Sequence, residues 1–136
     1  LKLGEAIRRT EGSGIVWVGG LAETWAPPFY AVGSRGFTSG LINVWPEHSV
    51  AIHAALSAGD YVRAAALIQT MEPFEALRAE ERNGTNVTVV KTALHLMGED
   101  CGPTRPPSAW PLVPRAEEAL GRHLREWGLV RAAAAE

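Results

Sequence analysis

The sequence predicts an α/β protein with one parallel βαβ unit near its start and only helices after it. Residues 14–18 read GIVWV, an apolar run bounded by glycines, which is typical of a strand buried on both faces of a parallel sheet. Residues 36–44 read GFTSGLINV and predict a second strand, since their C-terminal half is apolar and β-branched. Strand, helix and strand fit into about thirty residues, the size of a parallel βαβ unit. We therefore divide the chain into residues 1–45 and an all-helical region, residues 46–136.

An opening helix and the helix between the two strands are predicted from apolar spacing and end residues. Leu3 and Ile7 lie four positions apart with charged residues between them, which is typical of a helix that buries one face. Thr24 is the expected N-cap of the second helix. Pro27 and Pro28 are expected in its first turn, where they cost no intrahelical hydrogen bond, and a following glycine is expected to end it.

After residue 45 the pattern is helical throughout. Pro46 can begin a helix that Gly59 ends, and Asp60 is the expected N-cap of the next helix. Pro73 is expected to kink or divide that helix. The other expected elements are a helix over 87–97 capped by Asn86, an extended proline-rich segment at 101–114, a final helix over 116–127 and a frayed alanine-rich tail.

Composition excludes several classes of function. The chain has 136 residues and 46% hydrophobic content, enough for one domain with a core. Its 13 basic and 15 acidic residues create no positive field for nucleic acid, and no apolar run reaches the roughly 18 residues that a membrane helix needs. Cys101 is the single cysteine, so neither a disulfide nor a thiolate metal site is expected. We expect a cytoplasmic protein without a cofactor or metal.

Two parallel strands cannot cover themselves. Strands of this kind bury both faces, and sheets usually have several members. The chain also begins at Leu1, without an initiator methionine and directly inside a helix-like pattern. We therefore expect either that the chain is one part of a larger α/β domain or that it self-associates through its strand edges.

Residues 19–47, GGLAETWAPPFYAVGSRGFTSGLINVWPE, resemble the dihydrodipicolinate synthase and N-acetylneuraminate lyase family, particularly its 5-dehydro-4-deoxyglucarate dehydratase-like branch. The resemblance extends through residues 83–98, NGTNVTVVKTALHLMG, and the proline-rich segment. It implies the C-terminal part of a (β/α)₈ TIM barrel, with GIVWVGG as strand seven and GFTSGLINVWPE as strand eight, followed by the helical region. Members form a Schiff base between a lysine and a 2-keto acid, typically pyruvate or a 2-keto-3-deoxy sugar acid, and are commonly tetrameric.

The resemblance also implies a set of substrate-binding residues. Barrel sites lie on the loops after the carboxyl ends of strands, where GGLAE is expected. Ala22 stands where some lyases carry an acidic residue, which argues against sialic acid itself as the substrate. By similarity, Gly20 and Glu23 contact the sugar portion of the substrate, Thr38 and Ser39 line the pocket near the reacting carbon, and Asn43 supports the strand end. Each has an alternative interpretation that needs no substrate. Gly20 could be a turn glycine, Glu23 a carboxylate in the first turn of a helix, and Thr38 and Ser39 hydroxyls bonded to backbone.

No catalytic residue is predicted in this chain. Its two lysines, Lys2 and Lys91, both fall in helical patterns away from a strand end. The family's Schiff-base lysine lies on strand six, upstream of this segment, and neither Tyr30 nor Tyr61 matches the motif of its proton-relaying tyrosine. We therefore expect the parent protein to be an aldolase or hydro-lyase, while this chain alone is inactive and packs against the rest of the barrel and against copies of itself.

Two other functions stay open. Gly19, Gly20 and the helix N-terminus after them could bind phosphate, although GGLAETW contains no lysine or arginine and Glu23 would repel an anion. The helical residues 46–128 could instead form an oligomerisation module without catalysis.

Overall fold

The computed structural model of the chain describes residues 2–107 and 109–130. These residues form two compact units. The first unit consists of the chain up to Ile42 together with Pro46–Thr70. The second unit consists of Asn43–Trp45 together with the chain from Met71 onward. The tail that was predicted to fray lies outside the described residues. The elements are α1 (Lys2–Arg9), β1 (Val18–Gly19), α2 (Ala26–Ala31), β2 (Gly36–Phe37), α3 (Pro46–Ser57), α4 (Tyr61–Asn83), α5 (Asn86–Leu96) and α6 (Pro114–Glu126), with 3₁₀ turns at Glu23–Trp25 and Leu41–Asn43.

The two strands of the first unit pair in parallel, as predicted. Val18 lies opposite Gly36 and Gly19 opposite Phe37. The pairing continues past the second strand, because the Thr38 N–H donates to the Gly19 carbonyl oxygen over 2.8 Å. The carboxyl ends of both strands therefore lie side by side.

The predicted strands are shorter and more exposed than expected. Ile15, Val16 and Val18 are 55%, 69% and 52% exposed, so the prediction that GIVWV is buried on both faces is wrong for the described chain. The physical reason is that side chains of a strand point to the two faces of its sheet, and a sheet of only two strands offers little surface on which other elements can pack.

The second strand ends at Phe37 and does not continue to Val44. The Ile42 N–H donates to Ser39 Oγ over 2.8 Å, which closes a turn in place of a further ladder bond. Leu41 and Val44, three residues apart, are both buried. Leu41 inside the 3₁₀ turn and Val44 directly after it are therefore buried without a strand, while Ile42 between them is 44% exposed.

The helix between the strands has the expected prolines in its first turn and the expected glycine after its end. Pro27 and Pro28 lie in its first turn, and Gly33, at φ +107°, follows its end. Thr24 is not the N-cap, since it lies inside the preceding 3₁₀ turn, and Trp25 takes the N-cap position without a side-chain hydrogen bond.

The helices after residue 45 follow the prediction closely, with corrections at Pro73 and at the N-cap of α5. Asp60 Oδ1 accepts the Arg63 N–H over 3.0 Å, the expected cap of α4. Pro73 does not divide this helix, because buried Met71 and Phe74 on either side of it hold the segment in the core. The helical dihedral angles instead end at Glu80, before three residues with positive φ, Glu81 to Asn83.

The second unit is built around the last two helices. Thr85 rather than Asn86 occupies the N-cap position of α5, and its hydroxyl donates to the Leu77 carbonyl oxygen over 2.8 Å. Trp45 stacks on Trp127 with ring centroids 5.0 Å apart. The fully buried apolar side chains of this unit include Phe74, Val89, Ala93, Leu120 and Leu124.

Candidate functional site

A buried polar cluster lies beyond the carboxyl ends of the two strands. Glu23, 0% exposed, follows β1; Ser39 follows β2; and Ser49, 1% exposed, belongs to α3. The Ser39 hydroxyl makes a short hydrogen bond to Glu23 Oε1, and the Ser49 hydroxyl donates to the same oxygen over 2.6 Å. The two serine oxygens are 3.3 Å apart. Three separate elements of the first unit therefore converge on one carboxylate oxygen.

Two backbone features position Glu23. Ala22 has φ 59° and ψ −170°, a region that residues with a Cβ adopt only under strain. This conformation turns the chain inward directly before Glu23. Gly19 allows α2 to approach the end of β1, because a Cβ on Gly19 would overlap Phe29 Cδ2 and lie 3.0 Å from Phe29 Cε2.

The second carboxylate oxygen of Glu23 is buried and has no hydrogen-bond partner among the described residues. Buried polar atoms are nearly always paired, and leaving one unpaired is costly. Both serine hydroxyls nevertheless go to Oε1. Such an arrangement at the end of parallel strands is typical of a functional site, where polar groups are positioned for function at a cost in stability.

A cavity of about 430 Å³ opens beside this cluster. Ser39 and Ser49 contribute its polar wall, and most of the remaining wall is apolar. Small-molecule sites commonly combine an apolar lining with a few convergent polar groups. The other residues that line it are Val18, Gly36, Phe37, Ile42, Val50 and His53.

A second polar pair lies at the edge of the same cavity. The Tyr30 hydroxyl is 2.6 Å from His53 Nδ1, and Tyr30 is 7% exposed. Burial raises the pKa of the Tyr30 phenol above its ordinary value, while a hydrogen bond from Ser57 and the charge of Arg35 act in the opposite direction. The phenol is therefore neutral at physiological pH.

The structure joins two of the five predicted substrate-binding residues by a hydrogen bond, and the other three are exposed. Glu23 and Ser39 share a hydrogen bond. Gly20 is exposed, with no atom within 4 Å of a Cβ placed on it. Thr38 and Asn43 are also exposed, and Asn43 belongs to the other compact unit.

Sequence reasoning missed Ser49 and the pair of Tyr30 and His53. Ser49 lies three residues before Ile52 and seven before Leu56, and all three are buried. A serine on the apolar face of a predicted helix is a pattern that periodicity alone could have revealed. The tyrosine and histidine are 23 positions apart, so no spacing rule connects them.

Neither lysine belongs to this cluster. Lys91 Nζ donates to the carbonyl oxygens of Cys101, Gly102 and Pro103 over 2.9, 3.3 and 3.0 Å. Lys2 is exposed at the start of α1. Within residues 2–107 and 109–130, no three His, Cys, Asp or Glu side chains are grouped as a metal site. None of the helices in the described part of the chain is long and apolar enough to cross a membrane.

Comparison with known sequences assigns the chain to a family. Residues 1–126 match the model of the dihydrodipicolinate synthetase family. A probable 5-dehydro-4-deoxyglucarate dehydratase from Ectopseudomonas mendocina is 31% identical over 131 residues, which cover 94% of this chain and 43% of that protein. A protein of the same name from Ralstonia nicotianae is 33% identical over 99 residues, 71% of this chain and 32% of that protein.

Solved structures agree with the sequence matches. The crystal structure of dihydrodipicolinate synthase from Oceanobacillus iheyensis has a TM-score of 0.84 and 38% identity over 93% of this chain and 42% of its own. The synthase from Bacillus clausii has a TM-score of 0.84 and 33% identity, over 93% of this chain and 43% of its own. The chain thus spans less than half the length of these relatives. With a family match over residues 1–126, it belongs to the dihydrodipicolinate synthetase family.

Proposed function

We propose that this chain supplies the seventh and eighth βα units of a (β/α)₈ barrel and one wall of its site for a 2-keto acid. The observation that carries the proposal is the cluster of Glu23, Ser39 and Ser49 next to a cavity at the carboxyl ends of two parallel strands. Barrel enzymes place their substrates at this end of the strands. The similarity to dihydrodipicolinate synthase structures over 93% of the chain supports the same placement.

The reaction we propose proceeds through an imine. A deprotonated lysine amine attacks the carbonyl carbon at C2 of the keto acid, and the carbonyl oxygen leaves as water. The imine then withdraws electrons from a neighbouring C–C bond, which breaks, or from a neighbouring C–H bond, whose proton passes to a base. The enamine left by that proton either forms a new C–C bond or expels a hydroxyl from the next carbon, and the hydroxyl leaves with a proton as water. Relatives named dehydratase favour the loss of water.

The lysine for this reaction is proposed to come from the rest of the barrel. Lys91 already donates to three carbonyl oxygens, and Lys2 lies at the exposed start of α1. Neither is available to a substrate in the cavity. We therefore propose that the chain alone does not catalyse the reaction.

The role of this chain is to bind and orient the substrate. Ser39, at the cavity wall, would contact a sugar-acid hydroxyl close to the reacting carbon, and Glu23 would hold that serine in place. Gly20 and Thr38, both exposed, would border the substrate on the rim. Phosphate is a poorer ligand for this wall, because its charged oxygens would meet the buried carboxylate, whereas a sugar acid can present a hydroxyl there and hold its own carboxylate elsewhere.

Assembly completes the proposal. Ile15, Val16 and Val18 form an exposed apolar stretch, which is typical of a surface that another polypeptide segment covers. We propose that the rest of the barrel covers them, and that the complete enzyme is a cytoplasmic homo-oligomer.

A chimeric enzyme tests this function. Residues 1–126 of this chain would replace the aligned C-terminal part of the Ectopseudomonas mendocina relative. We expect pyruvate and borohydride to label a lysine in the relative's portion, because hydride reduces the imine to a stable secondary amine. We also expect the chimera to dehydrate 5-dehydro-4-deoxyglucarate.

The control is this chain alone under the same conditions. It should acquire no label on Lys2 or Lys91. A folded chimera without label would contradict the proposed function, and label on Lys91 of the isolated chain would contradict the proposed source of the lysine.

A further inference from the structure

We propose, building on the function above, that Ser49 is a positioning residue that makes Ser39 a hydrogen-bond acceptor for a substrate hydroxyl. Ser49 was not among the residues implied by the family resemblance. It belongs to α3, outside both strands and the loops that follow them. In this role, a side chain of the first helix after the barrel segment would help to orient the substrate.

The direction of the hydrogen bonds supports this role. Both hydrogen bonds run from a serine hydroxyl to Glu23 Oε1, and each hydroxyl has a single proton to donate. Neither proton then points into the cavity. The 3.3 Å approach between the two serine oxygens is a side-by-side contact of two donors to the same atom.

Ser39 is further constrained by the backbone. Its oxygen accepts the Ile42 N–H over 2.8 Å, which uses one of its two lone pairs. The remaining lone pair is the polar feature that Ser39 can offer to a ligand. The ligand group that meets it must therefore be a donor such as a hydroxyl, and a carboxylate at this point would be repelled.

Ser49 restricts rotation of the Glu23 carboxylate, and so keeps the Ser39 hydroxyl donating to Glu23 Oε1. With Ser39 as its only donor, the Glu23 carboxylate could rotate until its unpaired Oε2 takes the place of Oε1. A second donor from α3 restricts that rotation, because its 2.6 Å bond requires Oε1 to stay between both serines. Ser49 is 1% exposed, so its side chain is held in place by the surrounding residues.

Amide hydrogen exchange of the chain itself is the first test. We expect Ser49→Ala to speed exchange of the Ile42 amide about tenfold, the equivalent of one hydrogen bond of ordinary strength. The Ile52 amide in α3 should keep its rate. Ser13→Ala, on an exposed turn, is the matched control and should change neither rate.

Kinetics of the chimera are the second test. Ser49→Ala should lower kcat/KM for 5-dehydro-4-deoxyglucarate about tenfold and leave the rate of pyruvate labelling unchanged, since pyruvate has no sugar hydroxyls. Ser39→Ala should cause a similar loss. The double variant should lose little more than either single variant, because the two serines act through one carboxylate.

The outcomes separate this inference from the proposed function. An unchanged Ile42 amide, a uniform increase at Ile42 and Ile52, or equal losses of dehydration and labelling would each overturn the role of Ser49. If the unsubstituted chimera acquires no label, the proposed function fails, and the exchange of Ile42 still decides whether Ser49 positions Ser39.

Discussion

The Ser49 hydroxyl donates to Glu23 Oε1 over 2.6 Å, although the two residues are 26 positions apart and almost fully buried. The bond joins the turn after the first strand to the first helix after the second strand. It therefore fixes two elements of the first unit to each other, and the Ser39 hydroxyl, which donates to the same oxygen, adds the segment after the second strand. A buried contact of this kind specifies one arrangement of the chain, because the alternatives leave its polar atoms unpaired.

Gly19→Ala is expected to destabilise the chain by about 1–3 kcal/mol, the usual cost of forcing an extra group into a packed position. The new Cβ would overlap the Phe29 ring and push α2 away from β1. Gly20→Ala is the matched control, since a Cβ there meets nothing within 4 Å, and its effect should stay within about 0.5 kcal/mol. Urea unfolding followed by circular dichroism measures both. Equal effects of the two substitutions would contradict the packing described at Gly19.

Ala22→Gly should raise the free energy of unfolding by about 1 kcal/mol, because glycine adopts the positive φ of this residue without a steric penalty. Ala54→Gly, at an exposed position inside α3, should lower it by about 1 kcal/mol. The same unfolding experiment compares them. If both substitutions destabilise the chain equally, Ala22 carries no strain.

Tyr30 is expected to make the stability of the chain fall at alkaline pH. Its folded-state pKa is raised above the ordinary 10.0, chiefly by burial. Above about pH 10 the unfolded chain therefore loses the phenol proton while the folded chain keeps it. The stabilisation is complete below that pH and is lost as the pH rises through the folded pKa.

The comparison with Tyr30→Phe isolates this contribution. The difference in unfolding free energy between the two proteins should be constant up to about pH 10 and shrink above it. In a Tyr61→Phe background, ultraviolet absorbance should show Tyr30 ionising at a higher pH than free tyrosine. Ionisation at or below the ordinary pH would show that the phenol is not desolvated.

Lys91→Met should loosen the start of the proline-rich segment. The ammonium group donates to the carbonyl oxygens of residues 101, 102 and 103, and a methionine of similar length cannot. We expect a loss of about 1 kcal/mol in stability and faster cleavage of this segment by proteinase K. Lys2→Met, at an exposed helix start, is the control. If the Lys91→Met variant is cleaved at the same rate as the unsubstituted chain, the three hydrogen bonds do not hold the segment in place.

Local sequence patterns predicted the helices well, because each helix carries its own apolar spacing and end residues. Asp60 caps α4 and Pro27 and Pro28 lie in the first turn of α2, as expected. The strands were predicted less well. An apolar run such as LINV suits a strand or a buried turn equally, and the hydrogen bond from Ile42 to Ser39 decided for the turn.

The sequence by itself determined that a βαβ unit precedes a helical region and that its strands pair in parallel, because these features follow from local spacing and the short connection between the strands. It also marked Glu23 and Ser39 as site residues through their resemblance to a family. Only the tertiary structure decided that Ser49 completes the cluster and that both serines donate to one oxygen of Glu23. Hydrogen bonds between residues far apart along the chain depend on how helices pack and where buried polar atoms find partners, and no spacing rule encodes either.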